Sequence, residues 1–381
     1  MPLEPPQHWR GRYAPSIADL DRAQWNACFG NPIESYDYHR GVEASGIAGF
    51  ELGWYAIESG EKLICAAPVF HTRYDLSTTA QGRVRKGLER VKRFVPGQLS
   101  LGLSCLGSPV TETCQIGFSP ALDDGARAKA LPALIALWTK DAIKRGIYLQ
   151  GLKDIPGAGF DRYRSALEAA KFRFVTSMAS ATLAIDFDDI DSYLARLSAG
   201  TRKDMRRKLK SRGDVRVEMR GDITGFEDVI LEMYRETRAR SDWAFEDLPA
   251  TYFTNVLAAN PGRAYFKLYF ANDALVGANL LLCDGQTLLD KFFVMRGDEG
   301  RSLNLYFLSW FENIDYCLQH KLANYHSGQA GYDTKLRLGC SLAPSWMGFR
   351  HSNPILHAAL KLASPLLSVE QPAVKAKMAG A

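Results

Sequence analysis

The sequence contains no apolar run long enough to cross a membrane. Its longest apolar stretches, LICAAPVF and LPALIALW, fall well short of the roughly 18 residues that a spanning helix requires. The opening segment, MPLEPPQHWRGRY, is rich in proline and polar residues, whereas a signal peptide needs an apolar core. We therefore expect a cytoplasmic protein that is free in solution or peripheral on the inner face of the cytoplasmic membrane.

Paired cysteines and a strong excess of one charge are missing as well. The seven cysteines are scattered and include no C-x-x-C pair, so the sequence predicts neither a disulfide framework nor a metal site. A net charge of +5 is small for 381 residues and does not mark a nucleic-acid binder. The remaining composition, 46% hydrophobic and 23% charged, is that of a globular chain of about two domains.

A pattern of hairpin, helix and strand ending in glycine occurs twice. In the first half, GWYAIESGEKLICAAPVF predicts two strands around a Ser-Gly turn, and a later helix ends in DAIKRG before the strand IYLQGL. In the second half, YFKLYFANDALVGANLLLC predicts two strands around an Asn-Asp turn, and a helix ends in YCLQHK before LANYHSG. The repetition predicts a duplicated α+β fold, with mixed, largely antiparallel sheets flanked by helices.

The second copy has the clearer pattern. An Asp-Gly turn adds the strand TLLDKFFVM, which predicts a three-stranded antiparallel meander over residues 264–295. Helices are predicted at 224–240 and 249–259, and Ser302 is a candidate N-cap for the helix that follows the meander. The predicted buried face of that helix consists of Leu303, Tyr306, Phe307, Trp310, Ile314 and Cys317.

We predict an N-terminal domain at 1–185, a C-terminal catalytic domain at 186–350 and an amphipathic tail at 351–381. Two dense basic segments, RVRKGLERVKR and GTRKDMRRKLKSRG, account for positive charge that the net value conceals. They are either solvated helices or surfaces for anionic lipid, tRNA or acyl carrier protein. The side chains predicted to make such membrane or partner contacts are Arg83, Arg85, Lys86, Arg90, Lys92, Arg93, Arg202, Arg206 and Arg207.

Several segments resemble the FemAB-like branch of the GNAT superfamily, in which two GNAT-like domains occur in tandem. They are the opening IADLDRAQWNACFGNPIESYDYHRGVEASG and the later TRKDMRRKLK, SLNLYFLSWFENIDYCLQHKLANYHSG and GQAGYDTKLRLG. The resemblance implies an N-acyltransferase with an acyl thioester as co-substrate and no further cofactor. RGDEGRS departs from the usual Q/R-x-x-G-x-G/A loop, which leaves acetyl-CoA, long acyl-CoA, acyl carrier protein and aminoacyl-tRNA open as donors.

Acyl transfer from a thioester to an amine requires an anion cradle, a base and an acid. The segment RGDEGRS precedes a predicted helix, where free N–H groups favour a phosphate. The donor-phosphate site is therefore predicted at Arg296, Gly297, Gly300, Arg301 and Ser302, with an ordinary polar loop as the alternative.

His326 ends a predicted strand, and its imidazole titrates near neutral pH, so it is the candidate acceptor of the amine proton. By resemblance to GNAT enzymes, Tyr332, Tyr306 and Tyr325 are candidates for protonating the leaving thiolate. Each of these four side chains has a purely structural role as its alternative.

Lys335 and Arg337 lie two residues apart in a segment predicted to be extended, which would point both to one side. Together with Gln329 they are predicted to hold a phosphate or carboxylate of the substrate. A solvated strand face is the alternative.

These observations favour an N-acyltransferase whose acceptor is an amine on a lipid or cell-envelope precursor. Bacterial ceramide synthases, which acylate a sphingoid-type amine, are GNAT-like enzymes that would account for the basic amphipathic segments. Two alternatives stay open: aminoacyl-tRNA-dependent transfer to a peptidoglycan precursor, and a non-catalytic glycan- or membrane-binding module.

Overall fold

The computed structural model describes residues 9–75, 100–240 and 245–367. The strands are β1 (Arg10–Ala14), β2 (Phe50–Ser59), β3 (Lys62–Asp75), β4 (Ser100–Leu106), β5 (Gly117–Phe118), β6 (Leu149–Pro156), β7 (Arg173–Thr176), β8 (Ser180–Ala184), β9 (Arg216–Arg220), β10 (Ala264–Ala271), β11 (Ala274–Cys283), β12 (Thr287–Met295), β13 (Asn324–His326), β14 (Ser341–Ala343) and β15 (Ser345–His351).

The α-helices are α1 (Arg22–Cys28), α2 (Tyr36–Ala44), α3 (Asp124–Lys144), α4 (Gly157–Ala169), α5 (Ile190–Arg196), α6 (Ala199–Lys208), α7 (Glu227–Ala239), α8 (Ala250–Ala259), α9 (Gly297–Ser302), α10 (Leu305–Gln319), α11 (Tyr332–Arg337) and α12 (Pro354–Leu367). Short 3₁₀ helices occupy Ile17–Asp19 and Leu209–Asp214. Among the described residues, none of the helices is both long and apolar enough to cross a bilayer.

The residues in the two turns determine the hairpins of the predicted meander β10–β11–β12. Asn272 and Asp273, between β10 and β11, adopt φ angles of 47° and 63°, the left-handed pair that a tight hairpin requires. Gly285, between β11 and β12, has a φ of 88°. Both strand pairs are antiparallel, so the meander is confirmed.

The described residues form two compact units. Unit 1 consists of 9–36, 48–75, 100–178 and 344–367, and unit 2 consists of 37–47, 179–240 and 245–343. The sheet of unit 1 has the order β1-β2-β3-β4-β6-β15-β7, with β5 beside β3, and that of unit 2 has the order β9-β10-β11-β12-β13-β8-β14.

The two sheets share one pattern of strand directions, which is the structural form of the predicted repeat. In each, four antiparallel strands lead to a parallel pair, β4 with β6 and β12 with β13. Two more antiparallel strands complete each sheet. The parallel partner is reached through a helix, α3 in unit 1 and α10 in unit 2, as a parallel connection requires.

The units exchange their sixth strands. β8 follows β7 of unit 1 along the chain but pairs with β13 and β14 of unit 2. β15 follows β14 of unit 2 but pairs with β6 and β7 of unit 1. Linear boundaries at 185 and 350 do not describe this interleaving, because hydrophobic periodicity records where a strand occurs and not which sheet it joins.

Each unit buries a core between its sheet and a long helix. In unit 1, α3 packs Leu134 and Trp138 against the sheet, both fully buried. In unit 2, α10 packs Trp310, Phe311 and Ile314 against β11, β12 and β13. Half of the face predicted for this helix, Trp310, Ile314 and Cys317, is therefore in the core, whereas Tyr306 and Phe307 are only half-buried, as is Leu303, which precedes the helix.

Gly41 in α2 allows a close approach between two helices of unit 2. A Cβ atom at this position would lie 2.8 Å from the carbonyl oxygen of Asn255 and 3.0 Å from the Cα atom of Val256, both in α8. Since these are backbone atoms, α2 and α8 would have to move apart. We expect Gly41→Ala to lower the free energy of unfolding by about 1–3 kcal/mol, measured by urea denaturation.

The matched control is Gly200→Ala in α6, where the added Cβ would meet nothing within 4 Å. This change should leave stability unchanged or raise it by up to about 1 kcal/mol, because alanine is the better helix former. Equal unfolding midpoints for Gly41→Ala and the unchanged protein would contradict the close packing of α2 on α8.

Candidate active site

The parallel ladder between β12 and β13 ends early, and β12 bulges where it ends. The last pair is Leu289 with His326, and from Phe292 to Met295 no described strand pairs with this edge of β12. On the other edge, Lys291 is an extra residue between two consecutive pairs with β11. A bulge redirects side chains and commonly lies beside an active site.

Asp290, next to the bulge, is held by polar side chains of three other elements. Its Oδ1 accepts a hydrogen bond from Asn279 Nδ2 at 2.6 Å, and its Oδ2 accepts one from the Tyr325 hydroxyl at 2.9 Å. Asn313 of α10 donates to Asn279 Oδ1 at 2.9 Å and lies 3.4 Å from Asp290 Oδ2. We call these four residues the Asp290 cluster. Three side-chain donors thus converge on the Asp290 carboxylate.

Burial, and after it the negative charge of Asp290, raises the pKa of the Tyr325 phenol well above its usual value. Tyr325 therefore stays protonated, and its proton is engaged in the hydrogen bond to Asp290 Oδ2. Among the three tyrosines predicted as acids, this one orients the base.

Two further polar residues lie on the same face of the sheet. Lys267, paired with Asn279 across the strands, is 4% exposed and donates to the backbone oxygen of Glu312. Burial lowers the pKa of Lys267 to about 8. Among the described residues, the buried Tyr269 hydroxyl and Asn313 Oδ1 have no hydrogen-bond partner. Unsatisfied buried polar atoms are rare in folded proteins and are typical of functional sites.

One feature of the sequence indicates this cluster. In TLLDKFFVM, the Asp-Lys pair interrupts an otherwise apolar strand, which is unusual for a buried segment. Nothing in the local pattern marks Asn279 or Asn313, because they meet Asp290 only through the tertiary fold.

His326 and Tyr306 lie on opposite sides of the sheet. Successive strand residues alternate between faces, so His326 faces away from Tyr325 and the Asp290 cluster. Its Nδ1 accepts a hydrogen bond from the backbone N–H of Gly328 at 3.2 Å, which occupies a lone pair that a base would need. Burial, followed by the charge of Asp290, raises the pKa of Tyr306, whose ring lies 6.1 Å from that of Phe293.

Tyr332 and Lys335 hold the glycine-rich segment in place. The Tyr332 side chain is 2% exposed, and its hydroxyl donates to the carbonyl oxygen of Ala179 at 2.8 Å. The Lys335 ammonium is buried and donates to the carbonyl oxygens of Ser327 and Gln329, the latter at 3.0 Å. Gln329 therefore contacts Lys335 through its backbone carbonyl oxygen.

The extended conformation predicted around Lys335 and Arg337 is wrong. Gly331, with a φ of 62°, leads directly into helix α11, which contains both residues. In a helix, residues two apart point in different directions: Lys335 is buried, whereas Arg337 is exposed and lies 3.5 Å from Asp204 Oδ2. The prediction that the side chains of Lys335 and Arg337 point to the same side is therefore also wrong.

The predicted donor-phosphate segment is helical and not a loop. Gly297 to Ser302 form α9, and a Cβ on Gly300 would lie 2.8–3.0 Å from the side chain of Met295, so α9 packs tightly on β12. Ser302 does not cap the next helix, because Asn304, with a φ of 55°, occupies that position. The Ser302 hydroxyl instead donates to the carbonyl oxygen of Glu299.

The two arginines of this segment have acidic partners. Arg296 Nη2 lies 3.4 Å from Glu232 Oε2, and Arg301 Nη2 lies 2.6 Å from Asp298 Oδ1. Both arginines are partly exposed, so a bound anion would compete with these carboxylates.

The basic segment between the copies is helical, as predicted, and some of its charge is offset within unit 2. Arg206 pairs with Asp191 at 3.3 Å, and Arg207 pairs with Asp204 at 2.8 Å. Arg202 donates to the carbonyl oxygen of Ala195. The other predicted contact residues, Arg83, Arg85, Lys86, Arg90, Lys92 and Arg93, lie outside the described residues.

Unit 1 fills the corresponding position with its own chain. Beyond the parallel pair β4–β6, the segment 107–116 folds in, and the Cys114 N–H donates to the Asp154 carbonyl oxygen at 3.0 Å. Lys153 Nζ donates to the carbonyl oxygen of Thr111 at 2.8 Å. The candidate active site therefore belongs to unit 2. Within the described ranges, no three His, Cys, Asp or Glu side chains gather as a metal site.

Comparisons with known proteins identify both family and fold. A model of the FemAB-like family, described as peptidoglycan biosynthesis/recognition, matches residues 161–379, more than half of the chain. A crystal structure of FemX matches 93% of this chain and 100% of its own, with a TM-score of 0.59 at 13% identity. A tandem GNAT protein from the clavulanic acid biosynthesis pathway matches 91% of this chain and 99% of its own, with a TM-score of 0.52 at 14% identity.

The C-terminal domain of a protein named as a lysylphosphatidylglycerol synthetase, from Agrobacterium fabrum, matches 92% of this chain and 97% of its own, with a TM-score of 0.51 at 11% identity. No curated protein matches the sequence. Identities this low show the fold alone, and that fold is the predicted one: two tandem GNAT-like domains with mixed sheets flanked by helices.

Lys267 should make stability depend on pH in a defined window. Its pKa of about 8 in the folded protein lies below its ordinary value of 10.5, so between these values the unfolded state binds more protons. Its contribution therefore raises the free energy of unfolding as pH rises from about 8 to about 10.5. We expect Lys267→Met to remove this rise, measured by urea denaturation at each pH, whereas the exposed Lys203→Met should retain it. An unchanged pH profile in Lys267→Met would contradict the buried ammonium.

Proposed function

The chain belongs to the FemAB-like family, and from this premise we propose that it is an N-acyltransferase whose active site is the Asp290 cluster of unit 2. The donor is an acyl thioester of coenzyme A or acyl carrier protein, and no resident cofactor takes part. The acceptor is an amine on a lipid or cell-envelope precursor. The observation that carries the proposal is a carboxylate, held by three donors, beside a strand edge that the ladder leaves open.

The open edge of β12 suits a thioester donor. The arm that carries the thiol in both coenzyme A and acyl carrier protein is extended and contains amide groups. Such a chain can pair with the N–H and C=O groups of an unpaired strand edge, as an added β-strand does. Phe292 to Met295 offer this edge, and α9, with Arg296 and Arg301, follows directly.

The proposed reaction uses Asp290 as the base. The amine nitrogen attacks the thioester carbonyl carbon, and its proton passes to the Asp290 carboxylate as the N–C bond forms. The C–S bond then breaks, and the sulfur takes a proton from the Tyr306 phenol, which regains one from Asp290. The products are an amide and a free thiol, so protons balance over one turnover.

The acceptor class rests on the family description and on the names of the structural neighbours. The family is described by peptidoglycan biosynthesis/recognition, and one neighbour is named for lysylphosphatidylglycerol, a membrane lipid. Within this class we propose a long-chain amino alcohol, which acylation converts to a ceramide. An enzyme with a lipid acceptor would work in the cytoplasm, peripheral to the membrane.

Aminoacyl-tRNA is the alternative donor. The family description supports it, since peptidoglycan precursors are its named context, but Arg206 and Arg207 already pair with carboxylates of unit 2. Grip on a tRNA backbone depends on basic side chains available to phosphates. Transfer that is lost on ribonuclease treatment would establish this donor and overturn the thioester.

The test is amide formation by the purified protein from a long-chain acyl-CoA or acyl carrier protein thioester and a long-chain amino alcohol, followed by mass spectrometry. Asp290→Asn keeps the size of the side chain but removes the base, so we expect the rate to fall at least about 100-fold. Tyr306→Phe should slow thiol release. His326→Gln should retain activity within about a factor of 5, because His326 faces away from the cluster.

Unfolding midpoints of all three variants should be measured to separate loss of chemistry from loss of fold. Loss of activity in His326→Gln, with Asp290→Asn active, would return the role of base to His326. If no thioester or aminoacyl-tRNA reacts and His326→Ala with Tyr332→Phe leaves ligand binding intact, the non-catalytic binding module replaces the enzyme.

A further inference from the structure

Unit 1 exposes several large apolar side chains to solvent. Among the described residues, the exposed large hydrophobic side chains are Ile143, Tyr148, Met219, Ile355, Leu356 and Leu362. All but Met219 belong to unit 1, at the end of α3, just after it, or in α12. Ile355 and Leu362 are 77% and 83% exposed. Scattered exposed hydrophobics are ordinary, but a group of them marks an interaction surface.

Helix α12 turns its apolar stripe outward. Ile355, Ala359 and Leu362 follow one another at spacings of four and three, which places them on one face, and all three are exposed. The opposite side faces the sheet, because His357 Nδ1 accepts a hydrogen bond from the His351 N–H at 3.3 Å. An amphipathic surface helix normally buries its apolar face, so this stripe has the orientation of a docking surface.

The segment that follows α3 lies beside the start of α12. The Ser352 N–H, just before α12, donates to the carbonyl oxygen of Tyr148 at 2.9 Å. Ile143 lines an apolar groove of about 720 Å³ that reaches Arg350, next to the start of α12. We call Ile143, Tyr148, Ile355, Leu356 and Leu362 the tail surface.

The charged side chains that line this groove or belong to α12 have one sign. Lys140 and Lys144 of α3 and Arg350 of β15 line the same groove, and Lys361 lies exposed within α12. The sequence of α12, PILHAALKLASPLL, contains no acidic residue. The nearest carboxylate on α3, that of Asp141, is paired with Arg145 at 2.7 Å.

We propose that the tail surface docks unit 1 on an anionic lipid bilayer. Apolar side chains on an interfacial helix enter the boundary between headgroups and acyl chains, while nearby lysines and arginines attract anionic headgroups. A protein partner would match the apolar stripe but would not by itself account for the lysines and the arginine beside it. The docking rests on the proposed function only in giving the enzyme access to a lipid acceptor.

The test uses the full-length protein and vesicles of phosphatidylcholine with or without phosphatidylglycerol, with bound protein separated by flotation. We expect binding to the anionic vesicles that weakens at high salt. Ile355→Ser with Leu362→Ser should lower the partition constant at least about tenfold, because two fully inserted side chains are lost. The matched control is Met219→Ser, an exposed apolar side chain of unit 2 that should change nothing.

Equal binding by the double variant and the unchanged protein would overturn the proposal, as would the absence of binding to anionic vesicles. A dimer in solution that the double variant dissociates would assign the tail surface to a second copy of the chain. Amide formation with a detergent-dispersed acceptor should be unchanged in the double variant. If the unchanged protein forms no amide in this assay, the proposed function is contradicted, but the result of the vesicle experiment is not affected.

Discussion

The short parallel ladder between β12 and β13 determines how unit 2 is built around its candidate active site. Because β13 has only three residues and pairs with the first three of β12, the rest of that edge of β12 has no partner strand among the described residues. The bulge at Lys291 lies at this transition. A half-buried polar side chain such as Asp290 needs hydrogen-bond partners at this place, since removing an unpaired polar group from water costs free energy. Asn279, Asn313 and Tyr325 provide those hydrogen bonds.

The two copies of the fold differ in what lies beyond their parallel strand pair. Both units contain the same parallel pair, but unit 1 closes its opening with the segment 107–116, whereas unit 2 lines the opening with polar side chains. β8 follows a strand of unit 1 along the chain but belongs to the sheet of unit 2, and β15 follows a strand of unit 2 but belongs to the sheet of unit 1. Loss of β15 would expose backbone N–H and C=O groups of β6, and loss of β8 would expose those of β13.

Several features could be predicted from the sequence because their causes are local. The Asn272-Asp273 and Asp284-Gly285 turns specify hairpins by backbone conformation alone, and helices α7, α8 and α12 follow from apolar spacing. The conformation at Lys335 could not be predicted in this way, since Gly331 starts a helix in a segment with strand-like composition. His326 was placed correctly at a strand end, but its face depends on register with β12.

Two copies of an α+β unit and the positions of their hairpin turns can be predicted from the sequence, since neighbouring residues encode these features. Which strands complete each sheet and which side chains meet Asp290 depend on the tertiary structure. Asn279 and Asn313 lie on separate elements, and long-range pairing, not local preference, brings them together. The same holds for α12, whose apolar stripe is visible in the sequence but whose outward orientation is set by packing on β15.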